Sequence, residues 1–340
     1  MKLAPVRVRK PFVWFSEKLF GNQWHRLLDD AKRREATRFL LFWNRGLGDI
    51  ALGLYQVIAE IRERIIDAEI TVVTRPELAE AFELLPVDWI LVDKSLTRGE
   101  KQAAQRAFER LTVNPAEYDA VLDRIDPTRW FAGTTPRLQP KLSWASKFDA
   151  LSHRFEPFFY DAGESCLIIG AHVQSETGAF YGYRKDWPTE SWRALFARSD
   201  ALPPVRFVLF GHRSDVDFEG VRCIDLRGQT SFLEMIALIK NRCRILIAPD
   251  SGVLTMSYYL DAPFRLDAIS LWADSRQGIL KLGVSSPNPQ LRHIPLLGAD
   301  ESVENISVDQ VFDAVSMLVP GSRPGHKRAT QSGGQARPVA

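Results

Sequence analysis

The sequence predicts an α/β protein built from two parallel-sheet domains in tandem. Short apolar segments alternate with amphipathic ones almost throughout, and the alternation stops once, over residues 157–163, and restarts. The length, 340 residues, fits two domains of roughly 100–200 residues each. A basic, aromatic arm is expected over 1–36, a first parallel α/β domain over 37–157, a second over 158–319 and a disordered tail over 320–340.

In the first series, residues 39–43 are apolar without polar alternation, as in a strand buried on both faces. Residues 50–64 carry apolar side chains near helical spacing. The β-branched EITVVT predicts a strand over 69–74, and Pro76 opens a helix over 76–85. A strand over 87–92, a helix over 100–111, a strand over 118–123 and a helix over 143–155 capped by Ser143 complete it. In the second series, strands are expected over 166–171, 205–210, 244–248 and 266–271. Helices are expected over 189–198 with Thr189 as cap, 231–241, 251–260 and 308–318. Ser231 with Glu234 three residues on spells a capping box. From Pro320 the chain is rich in Gly, Pro, Ser and Arg with no apolar period.

Composition excludes several classes. The chain is 45% apolar and 25% charged, as ordinary globular proteins are, and a net charge of +2 gives no reason to expect nucleic acid. Cys166, Cys223 and Cys243 lie far apart at neither zinc nor redox spacing, which suits a reduced, cytoplasmic protein. No apolar run approaches the ~18 residues of a membrane span. Arg7, Arg9 and Lys10 interrupt what a secretory signal would keep apolar. Interleaved with Phe12, Trp14, Phe15 and Phe20, these cations suit an anionic membrane surface; an arm packed on its own domain is the alternative.

Parallel sheets bind ligands beyond the carboxyl ends of their strands, which singles out loops 44–49, 172–188 and 249–252. In the first, Arg45-Gly46-Leu47-Gly48-Asp49, the glycines allow a tight turn and close approach to a ligand. Asp49 stands where it could cap the next helix or do chemistry, and spacing alone leaves both open. The loop lacks the third glycine of a dinucleotide fingerprint and the Gly-Lys-Ser/Thr of a P-loop. The second loop carries Arg184 and Lys185 before a helix start, where a phosphate would be welcome; a solvated basic loop is the plainer reading. In the third, Asp250-Ser251-Gly252 opens a helix, a pattern suited to anions and sugar hydroxyls but common in turns.

Taken in order, Arg-Gly-Leu-Gly-Asp, Lys-x-Trp-Pro at 185–188, a weak Gly-x-Thr-Ser-Phe at 228–232 and Asp-Ser-Gly resemble the heptosyltransferases, glycosyltransferase family 9, over roughly residues 39–318. The resemblance implies a GT-B fold, two Rossmann-like domains with parallel sheets facing an interdomain cleft. It implies an inverting, metal-independent transfer of a sugar, heptose from ADP-heptose in the best-known members, to a lipopolysaccharide-core or related glycan or glycolipid acceptor at the inner face of a membrane, with no cofactor. Asp49 matches the catalytic aspartate, a general base toward the acceptor hydroxyl. Lys185, Asp250, Ser251, Gly252 and Thr255 match the donor site, and Arg45, Gly46 and Gly48 the acceptor loop. Three features depart from the family: Thr255 stands where histidine is usual, the stretch ETGAFYGY lengthens the second loop, and Pro263 is followed by FRLDAISLWADS.

Rival readings are a non-catalytic nucleotide- or glycan-binding protein on the same scaffold and, disfavoured by the missing glycine, a nicotinamide-dependent oxidoreductase. Asp215-Val216-Asp217 spells a metal-binding Asp-x-Asp, though its polar setting fits a solvated loop better. His153, His172, His212 and His293 share no ligand spacing; only His172 ends a strand at the expected cleft. No Gly-x-Ser-x-Gly of an α/β-hydrolase occurs.

Overall fold

The computed structural model of the chain describes residues 22–131, 136–162, 166–175, 185–211, 216–218 and 223–321. The arm up to residue 21, Arg184, the inserted 176–183, His212, Asp215 and the tail beyond 321 lie outside them.

Helix α1 (Gln23–Arg33) is capped by the Asn22 side chain and buries Trp24, Leu28 and Ala31. Trp24 stacks on Trp130 at 4.9 Å between ring centroids and donates its Nε1–H to Glu60 at 2.8 Å, so this stretch is packed on the first sheet's helices. That sheet is built of β1 (Arg38–Phe42), β2 (Glu69–Thr74), β3 (Trp89–Val92) and β4 (Ala120–Leu122), all parallel, in the order β3-β2-β1-β4. A π turn (Ile50–Leu54) leads from the β1 loop into α2 (Tyr55–Arg64); α3 (Pro76–Phe82), α4 (Ala103–Arg110) and the short α5 (Pro127–Trp130) follow. Phe39 and Leu41 face one apolar cluster and Leu40 and Phe42 another, which is why this strand reads as an unbroken apolar run.

A two-strand link, β5 (Leu142–Ser143) beside β10 (Leu260–Asp261), connects the halves. The second half contains β6 (Leu167–His172), α6 (Thr189–Ala197), β7 (Val205–Phe210), β8 (Cys223–Asp225), α7 (Phe232–Arg242), β9 (Ile245–Pro249), α8 (Gly252–Tyr258), β11 (Leu266–Trp272), α9 (Gly278–Leu282), β12 (Leu291–Leu297) and α10 (Val308–Leu318). Its parallel sheet has the order β12-β11-β9-β6-β7-β8, the doubly wound order that reverses between β6 and β9. One apolar cluster runs from Trp24 through Phe39 to Leu246 and Tyr259, so the two sheets share a continuous core.

Two expectations change. The helix over 143–155 is replaced by β5 and a 3₁₀ segment (Ser146–Ala162). Pro157 lies inside that segment and supplies no N–H, and Asp149 is held sideways by Lys240 at 2.7 Å and Trp144 at 3.0 Å. Thr189 is the first residue of α6 and not its cap, because Pro188 takes the cap position. Two unforeseen strands lie at the sheet edges, three-residue β8 and Pro295-containing β12, where proline removes no central ladder bond. Among the described residues no helix is long and apolar enough to cross a membrane.

Candidate functional site

The three loops singled out by the sequence meet at the junction of the two halves. After β1, buried Arg75 holds the loop start, donating to Asn44 Oδ1 at 2.8 Å and to the Arg45 carbonyl at 3.1 Å. Asn44 in turn donates to the Thr97 carbonyl at 2.9 Å. Asp49 does not cap the helix. Its backbone is already helical (φ −65°, ψ −18°), whereas a cap needs an extended residue whose side chain can turn back to the free N–H groups. Its carboxylate instead accepts from the Gly46 N–H at 3.2 Å and lies 3.9 Å from Arg45 Nε, with 43% of the side chain exposed. Of the two alternatives left open by spacing, capping is absent, and Asp49 lines a cavity.

That cavity, of about 500 Å³, is lined by Arg45, Gly46, Gly48 and Asp49 from the first half and by Lys185, Asp250, Ser251, Gly252 and Thr255 from the second. All nine residues expected at the site therefore share one chamber. Lys185 forms a close ion pair with Asp250, both side chains about one-tenth exposed (11% and 9%). Ser251 caps α8, its Oγ accepting from the Leu254 N–H at 3.2 Å. Thr255 is 1% exposed and donates its hydroxyl to the Ser251 carbonyl at 3.0 Å, so it retains only acceptor capacity toward a ligand.

The halves touch where side chains are smallest. A Cβ on Gly252 would lie 2.7 Å from Leu47 Cβ, and one on Gly48 would lie 3.2 Å from Thr255 Oγ1. Beyond this contact lies a second chamber, of about 490 Å³, which Ser251 and Gly252 also line. Its walls include Leu47, His172, Gln174, Thr230, Phe232 and Met235. His172, at the end of β6, is 6% exposed, and burial pushes its pKa down to about 4, so its imidazole is neutral.

Five basic residues that line the two chambers, Arg75, Arg98, Arg137, Arg276 and Lys281, belong to no sequence motif. Arg75 follows β2 directly, and the strand-end rule that picked the other loops would have found it. Arg137, Arg276 and Lys281 line the Asp49 chamber from segments without a motif, so only the tertiary fold reveals them. Arg276 is bound to Asp274 at 2.7 Å and Glu301 at 2.6 Å. Arg137 stacks on Phe131 at 5.5 Å, its Nη1 is buried without a hydrogen-bond partner, and burial lowers its pKa. Of the Asp-x-Asp stretch, Asp217 uses its backbone carbonyl to accept from Arg193 at 2.6 Å.

The sequence model of glycosyltransferase family 9 (heptosyltransferase) matches residues 170–287. No curated protein matches the chain. Among solved structures, a family 9 glycosyl transferase from Veillonella parvula DSM 2008 is 15% identical with a TM-score of 0.57, over 84% of this chain and 99% of that one. E. coli heptosyltransferase WaaC with ADP is 14% identical with a TM-score of 0.50, over 83% of this chain and all (100%) of that one. At such identities the likeness establishes the shared α/β, GT-B architecture. The family match in turn shows that residues 170–287 are similar to the family 9 glycosyltransferases.

Proposed function

We propose that the chain transfers a sugar from a nucleotide-activated donor to a glycan or glycolipid hydroxyl, with inversion and without a metal, using Asp49 as general base. The observation that carries this reading is the placement of Asp49: a carboxylate that caps no helix lines the same chamber as the Lys185–Asp250 pair. A base must sit within hydrogen-bond reach of the proton it removes, and a half-exposed carboxylate facing a cavity meets that need for an incoming hydroxyl. Attack from the Asp49 side and departure of the diphosphate on the opposite side invert the anomeric carbon. The Lys185 ammonium has three N–H donors, so it can keep Asp250 and still take an oxygen of the leaving diphosphate. Asp250 is suited to accept from sugar hydroxyls.

The nucleoside belongs in the second chamber. The strand order reverses between β6 and β9, and the crevice beyond such a reversal is where this sheet type receives nucleotides. Ser251 and Gly252, common to both chambers, then take the diphosphate between nucleoside and sugar. The ADP carried by WaaC, and the ADP-2-deoxy-2-fluoro heptose carried by the same enzyme in another structure, support an ADP-linked heptose as donor. Arg137 Nη1, partnerless among the described residues, supports an acidic acceptor of the lipopolysaccharide-core type, and such an acceptor suits a reaction at the cytoplasmic face of the inner membrane. The commitment of the Thr255 hydroxyl to Ser251 is the one observation that favours the second reading, a binding protein without turnover.

The test is the Asp49→Asn variant with ADP-heptose and a core-glycolipid acceptor. Transfer should fall about 10²- to 10⁴-fold while ADP affinity stays unchanged. Transfer near the wild-type rate defeats the general-base assignment, and no turnover by the wild type with any nucleotide-sugar favours the binding protein.

A further inference from the structure

The second chamber holds two polar atoms that find no partner among the described residues. His172 Nδ1 and Gln174 Oε1 are both buried without a hydrogen bond. Their placement follows from the strand. Side chains alternate along β6 and its extension: Ile169, Ala171 and Val173 face the apolar cluster on one side of the sheet, so His172 and Gln174 turn to the other. That side opens between β6, β9 and the start of α7, where Thr230, Phe232 and Met235 form the facing wall.

Buried polar groups are nearly always paired, and an orphan pair at the floor of a cavity calls for an occupant. The chemistry of the two groups limits it. A buried, neutral imidazole and an amide carry no formal charge, so they do not match a diphosphate as Lys185 does. The amide oxygen only accepts and needs an O–H or N–H from the ligand; the imidazole nitrogen gives or takes one bond according to its tautomer.

We infer that His172 and Gln174 read the uncharged part of the donor, hydrogen-bonding the ribose hydroxyls or the base edge of a nucleoside diphosphate. The inference rests on the reading of this chamber as the nucleotide site. It assigns selection of the nucleoside to the end of β6 and leaves the phosphates to Ser251, Gly252 and Lys185.

Calorimetric titration of the full chain with ADP, UDP, GDP and CDP, and separately with pyrophosphate, tests it. His172→Leu and Gln174→Met should each weaken the best-bound nucleoside diphosphate about tenfold, the size of one lost hydrogen bond, and leave pyrophosphate unchanged. His172→Asn keeps a polar group near Nδ1 and should recover most of the affinity, which also separates lost recognition from a damaged fold. With the wild type, the 2′-deoxy and base-edited analogues of that nucleotide distinguish ribose from base: the one whose removed group met the pair loses affinity, and loses no more in the variants. Equal nucleotide affinity in wild type and variants overturns the inference, the orphan atoms then being met by water. Equal losses for nucleotide and pyrophosphate overturn it too, because the pair would not be reading the nucleoside. If the wild type binds no nucleoside diphosphate at all, the donor-site reading itself fails, and that outcome is distinct from the other two.

Discussion

The two chambers are almost equal in volume, about 500 and 490 Å³, yet opposite in chemistry. The first has five cations, Arg45, Arg137, Lys185, Arg276 and Lys281, against the carboxylates of Asp49 and Asp250. The second is lined by the neutral His172 imidazole, the Gln174 amide and apolar side chains, and its cations Arg75 and Arg98 are matched in number by Glu77 and Glu80, Arg75 lying 3.3 Å from Glu77. The excess of positive charge thus lies in the first chamber, where a glycosyl transfer would create and move negative charge, and the second is balanced. Gly252 and Leu47 mark the divide.

The largest expected effect strikes the charged chamber. Lys185→Met leaves Asp250 buried without its cation, and breaking a buried pair from one side costs about 3–5 kcal/mol. Chemical denaturation should show this loss, and Lys185→Met with Asp250→Asn should recover most of it. Full stability in the single variant means that the pair is better hydrated than its burial implies. The divide comes next. Gly252→Ala forces its new methyl against Leu47 Cβ and should cost about 1–3 kcal/mol, and it should cost less in a Leu47→Gly background, where that Cβ is gone. Additive losses in the double variant break the claim that these residues are in contact.

The effect smallest near neutral pH is a pH dependence carried by two imidazoles, and it grows only on acidification. Burial lowers the pKa values of His172 and His293 to about 4, below the ordinary 6.5. The unfolded chain takes up protons that the fold refuses. Stability is therefore fully present above pH 6.5 and falls as pH drops toward 4, by up to about 1.4 kcal/mol per unit for His172 and by less for half-buried His293. In His172→Leu the decline should be shallower, and an unchanged slope shows His172 to be hydrated.

Much of this arrangement was legible in the sequence. β1, β7 and β9 are short apolar runs because both faces of each are covered, and the strand-end rule then placed all three loops at one junction. The capping box at Ser231 followed from two residues three apart and is present in the structure. Asp49 remained ambiguous because capping depends on its backbone angles, which spacing does not encode. Arg137 and Gln174 matter only through burial in a cavity formed by both halves, and no local pattern reports that. Ser143, expected to cap a helix over 143–155, lies in β5, and the 3₁₀ form of Ser146–Ala162 depends on contacts such as the lateral hold on Asp149 that spacing does not encode.

The division of labour is tested most directly by a crystal structure with ADP and a non-transferable ADP-sugar. The account predicts the nucleoside between His172, Gln174 and Phe232, the diphosphate at Ser251 and Gly252, and the sugar facing Asp49. A nucleoside lodged beside Asp49, with the second chamber holding only water, would contradict it.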